Sequence, residues 1–72
     1  MSTILETIAD DFARDVLAAA EEAGDDDIVD QVSKAIGQSS PTFQEAFNTA
    51  IRMRRAERRG REALAAALKA RR

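Results

Sequence analysis

Between Pro41 and Ala70 the chain runs for thirty residues with no further proline and a single glycine, Gly60. Ser40 can accept a hydrogen bond from the first turn, and Pro41 suits the first helical position, where its missing N–H costs nothing. The run therefore predicts one helix, roughly 45 Å long at the usual rise per residue. The forty residues ahead of it cannot cover that length. Part of the helix is expected to project or to pack on something else.

What precedes it reads as two shorter helices. Thr3 and Glu6 fit a capping box, in which each side chain satisfies the other's backbone N–H. A helix over about 3–23 then carries Ile4, Leu5, Ile8, Ala9, Phe12, Val16, Ala19, Ala20 and Ala23 on one expected core side. Glu6, Thr7, Asp10, Asp11, Arg14, Glu21 and Glu22 lie on the other, and Leu17 falls off the apolar side. Gly24 is expected to end this helix in the left-handed conformation. One of Asp25, Asp26 and Asp27 should cap a second helix over about 26–36, with Ile28, Val29, Val32 and Ile36 facing inward and Gly37 as its stop.

The long helix changes face along its length. Phe43, Ala46, Phe47, Ala50 and Ile51 cluster on one side, and the apolar positions then become Met53, Ala56, Gly60, Ala63, Leu64 and Ala67, about a third of a turn away. The two halves cannot face one partner. The expected organisation is thus all-α: an acidic three-helix body over 1–51, its second and third helices arranged like a helix–turn–helix, and a basic helical arm over 52–72 continuing the third helix. The distal side approximates a heptad seam of mostly small residues, and Met53, Ala56, Gly60, Ala63, Leu64 and Ala67 are the candidate helix–helix interface.

Charge divides at the same place. Residues 1–51 carry 11 acidic and 2 basic side chains, a net of −9, and residues 52–72 carry 9 basic and 2 acidic, a net of +7, so the total of −2 conceals a dipole. Such asymmetry points to an anionic partner for the arm, or to pairing of arm with body within or between subunits. Arg52, Arg54, Arg55, Arg58, Arg59 and Arg61 are the candidate contacts. Arg54 with Arg58 and Arg55 with Arg59 are like charges one helical turn apart, each pair costing about 0.2–0.5 kcal/mol, offset clearly only by Glu57 with Arg61. An anion would relieve that repulsion, and the planar guanidinium suits carboxylate or phosphate. In composition the stretch resembles the arginine-rich helical segments of some RNA-binding peptides. No aromatic residue is interleaved, so base stacking is not expected.

Residues 29–48 offer a second route to nucleic acid. Ser33 and Gly37 occupy the small and turn positions of a helix–turn–helix, with Val32, Ile36, Phe43 and Ala46 at apolar ones. Thr42, Gln44 and Asn48 could then meet base edges. Gln38 departs from the pattern, and Glu45 and the acidic preceding helix would repel phosphate.

Catalysis is not expected. With no histidine and no cysteine, the commonest general base, the best nucleophile and the usual transition-metal ligands are all missing. The contiguous Asp25-Asp26-Asp27 lacks the alternating spacing of a calcium loop. No cofactor, metal or small-molecule substrate is anticipated. A chain of 72 residues buries only about 60% of its unfolded surface, which favours oligomerisation, a dimer first. Without cysteine to form disulfides, and with neither a leader-like N-terminus nor an apolar run approaching the ~20 residues of a membrane span, a cytoplasmic protein that does not enter membranes is expected. The leading functional expectation is a non-enzymatic module that self-associates or binds a protein partner, acidic where the arginines meet it, through its last helix. The alternative is a DNA- or RNA-binding protein using the arginine cluster.

Overall fold

A computed structural model describes residues 3–71. Three helices follow one another, α1 (Ile4–Ala23), α2 (Asp27–Ser39) and α3 (Pro41–Ala70), with no strand among the described residues. The protein is all-α.

Local signals set the helix ends. Thr3 Oγ1 accepts from the Glu6 N–H at 3.1 Å while Glu6 Oε2 accepts from the Thr3 N–H at 3.3 Å, completing the capping box. Gly24 sits at φ 66°, and the N–H groups of Gly24 and Asp25 donate to the carbonyls of Glu21 and Ala20, the paired bonds of a Schellman cap. Asp26 stands at the N-cap of α2 without a side-chain cap bond, and Asp25 Oδ1 instead accepts from the Asp27 N–H at 3.0 Å. Ser40 alone separates α2 from α3. Its N–H closes α2 on the Ile36 carbonyl and its Oγ opens α3 by accepting from the Phe43 N–H.

Gly37 does not stop α2, which runs through it to Ser39. Its role is close approach. A Cβ there would stand 2.5 Å from Gln44 Nε2, and the missing side chain lets that amide lie across α2 and donate to the Ser33 carbonyl at 2.9 Å.

The core gathers Ala13, Val16, Ala20, Val29, Phe47, Ala50 and Ile51, with Leu17, Ile28, Val32 and Ile36 packed against it. Phe47 is its one large, fully enclosed side chain. Phe12 meets it at a ring separation of 5.6 Å and Phe43 at 6.4 Å.

The inward side of α1 differs from the expected one. Ala9, Ala13, Val16 and Ala20 are buried and Leu17 joins them, whereas Ile4 is 80% and Ile8 53% exposed, and Ala19 and Ala23 also lie outside. The helix is turned by roughly 70° from the side its bulkiest residues define. The reason is steric. The bulk of the core comes from Phe47 on α3, so the surface opposite it has to be shallow, and α1's alanines provide it.

Extents of 51 × 33 × 13 Å describe a flat, elongated molecule. Two helix layers 8–10 Å apart account for the thickness. Its radius of gyration of 14.5 Å exceeds the ~11 Å of a compact chain of this length.

Candidate functional site: the distal half of α3

α3 stays helical through Arg52 and Gly60, and from Ala56 to Arg71 every residue is exposed. The turn of its apolar side is why. Phe47, Ile51, Arg54 and Arg58 fall on one line of the helix, so beyond Ile51 the side facing the body carries arginine. Met53, Ala56, Gly60, Ala63, Leu64 and Ala67 lie on the side roughly 160° around. Met53 is 68%, Leu64 57% and Leu68 60% exposed. Nothing lies within 4 Å of a Cβ placed on Gly60.

The six arginines divide into two groups. Arg54 reaches back to α1 and grips Asp10 with both arms of its fork, Nε to Oδ1 at 2.7 Å and Nη2 to Oδ2 at 2.8 Å. Arg58 reaches Glu21 of α1 at 3.0 Å, and Arg61 pairs with Glu57 one turn back at 2.9 Å. Arg52 donates to the Thr49 hydroxyl at 3.3 Å. Among the described residues Arg52, Arg55 and Arg59 have no carboxylate partner. These three lie at i, i+3 and i+7, roughly 100° around α3 from the line that faces the body.

The Arg54 fork holds the Asp10 carboxyl below the ordinary aspartate value. Its hydrogen bonds are the main cause, partial desolvation opposes them, and the positive charges of Arg54 and Arg14 add to the lowering. Reciprocally, Asp10 raises Arg54. Asp10 belongs to the side of α1 that the sequence pattern assigns to solvent. The usable signal was on α3, where extending the Phe47–Ile51 line by one turn places Arg54 over α1.

An open groove of about 860 Å³ runs between the second half of α1 and the arm, with Leu17 and Ala18 on one wall and Arg55, Arg59 and Glu62 on the other. Charges of both signs line it. The α2–α3 pair offers less to a duplex than its sequence suggested, because Asn48 accepts from the Ser33 hydroxyl at 2.8 Å and Gln44 is spent on the Ser33 carbonyl. Two of the three candidate base readers are therefore turned into the packing of α2 on α3, and only Thr42 is exposed.

Among the described residues no group of three histidine, cysteine, aspartate or glutamate side chains is placed to hold a metal, and no helix is long and apolar enough to cross a membrane. Comparison with protein-family models, with curated proteins and with solved structures returned no match.

Proposed function

We propose that this chain is a non-enzymatic helical interaction module that self-associates through the distal half of α3, a dimer being the favoured state, in a cytoplasmic setting. The observation that carries the reading is the exposed side of the arm, where Met53, Leu64 and Leu68 stand more than half exposed on a helix that its own body does not cover. Isolated helical segments of this length are marginal in water. A partner that buries the apolar side stabilises the arm, and small residues at Ala56, Gly60 and Ala63 let a second helix come close.

The arginines support a protein partner before a nucleic acid. Arg54, Arg58 and Arg61 already have carboxylates, which leaves Arg52, Arg55 and Arg59 beside a body of net charge −9. Cations next to such a body make a weak phosphate site.

Light scattering at low and high salt, with and without added DNA and RNA, tests this. The expected result is twice the 7.9 kDa chain mass without nucleic acid, and dissociation by Gly60→Leu or Leu64→Glu with helix content retained in the body. A chain monomeric in the absence of nucleic acid that acquires mass only with DNA or RNA, and loses it as salt rises, refutes the proposal in favour of phosphate binding.

A further inference from the structure

Resting on that reading, we infer that two copies pair antiparallel along the whole of α3, so that the arm of each fills a groove beside the body of the other.

The groove opens between the first half of α1 and the first half of α3. It measures about 600 Å³, and Leu5 of α1 with Ala46, Ala50 and Met53 of α3 form its apolar lining. Its ionisable residues are Glu6, Asp10 and Glu45, with no cation among them. Ala46, Ala50 and Met53 fall on the same side of α3 as Gly60, Leu64 and Leu68 of the arm, all six within about 80° of one another. The groove and the exposed arm are thus two ends of one stripe. They cannot meet within a chain, because one continuous helix carries both. A second copy turned end for end lays its arm in the groove and receives the first arm in its own.

Side-chain size selects this orientation. About a two-fold axis beside Ala56 and Glu57, antiparallel α3 helices bring Leu64 over Ala50, Leu68 over Ala46 and Met53 over Gly60 of the second copy, bulky against small in each layer. A parallel pair leaves Gly60 facing Gly60 with nothing to fill the space. Charge selects it too. Residues 52–72 carry a net +7 and residues 1–51 a net −9, so antiparallel pairing sets each arm along an acidic body, whereas parallel pairing sets arm on arm. Arg71, in line with Leu64 and Leu68, comes level with Thr42 and Glu45 of the second copy. Glu57 lies near the axis with Arg61 as its counter-charge at 2.9 Å. The chain exposes 5619 Å², whereas a compact monomer of its mass exposes about 4,400 Å². The excess, about 1,200 Å², covers the ~800 Å² that each partner contributes to a standard interface, and the two-fold axis closes the assembly at two copies.

The chain has no cysteine, so introduced thiols report the pairing. Ala46→Cys and Ala67→Cys mark sites about 31 Å apart on one helix, which face each other only across antiparallel copies. Ala67 is exposed and Ala46 half-buried, and circular dichroism checks that each form keeps its helices. Both are oxidised at a concentration where the unaltered chain is dimeric by light scattering. Each form alone is expected to stay uncrosslinked, and mixed in equal amounts they should join up to half of the chains, the statistical share of mixed dimers. Both substitutions in one chain should join nearly all. The layer at Gly60 has its own check: Gly60→Leu should give the monomer mass, and adding Met53→Ala should restore the dimer. If Ala67→Cys cross-links as well alone as in the mixture, the copies run parallel, and this inference falls while self-association stands. A dimer that gives no mixed cross-link, or a Gly60→Leu chain that Met53→Ala leaves monomeric, likewise overturns this inference alone. An unaltered chain that is monomeric throughout refutes both it and the reading beneath it.

Discussion

Gly37→Ala separates two effects of comparable size and opposite sign. At an open helical position the change stabilises by about 0.8–1.0 kcal/mol, because alanine has less backbone freedom to lose. Gly37 is not open. The added Cβ would lie 2.5 Å from Gln44 Nε2 and 2.6 Å from its Cδ, closer than any relaxed contact, so the Gln44 amide has to swing away. Its 2.9 Å hydrogen bond to the Ser33 carbonyl goes with it, a loss of about 0.5–1.5 kcal/mol. Only a flexible side chain is displaced, so the helix axes need not shift. The two terms nearly cancel, and Gly37→Ala is expected to change stability by less than about 0.5 kcal/mol. In a Gln44→Ala background the obstacle is gone, and the same change should deliver the full helical gain of about 0.8–1.0 kcal/mol. Urea unfolding of the four chains, followed by far-UV circular dichroism, measures the coupling. Equal stabilisation in both backgrounds would refute the account of Gly37 as a notch for Gln44.

Two further outcomes follow from the core and the ion pair. Phe47→Ala removes the one large enclosed side chain and should cost about 3–5 kcal/mol, against a whole-chain stability expected near about 4–11 kcal/mol at this length; loss of the cooperative urea transition, or a midpoint near zero denaturant, is the predicted reading. Because Arg54 lowers Asp10 in the folded chain, the unfolded chain binds more protons through the acid range, so the pair's contribution is present above the ordinary aspartate value and disappears as pH falls through the lowered one. Thermal melts across acidic pH should show a shallower acid decline in Asp10→Asn than in the unaltered chain.

Much of the architecture was legible along the chain, and the parts that were share a scale. Thr3 with Glu6, Gly24, and Ser40 with Pro41 act through hydrogen bonds closed within five residues, so their meaning does not depend on the rest of the fold. The turn of α3's apolar side past Ile51 is likewise a property of one helix, set by its period and by where arginine replaces phenylalanine and isoleucine. Asp10 with Arg54 was beyond that scale. They are 44 residues apart, and nothing near Asp10 distinguishes it from the solvated acids around it.

Three helices, the caps of α1 and the start of α3, the division of charge and the change of face along α3 were therefore determined by the sequence alone. Only the tertiary structure decided which side of α1 is buried, what Gly37 is for, and which arginines the body occupies. The physical reason is that caps and periodicity are short-range, whereas burial depends on the shape of the opposing surface. Phe47 fills the space between α1 and α3, and that favours alanines over isoleucines on the facing side, leaving Ile4 and Ile8 outside and bringing Asp10 under Arg54.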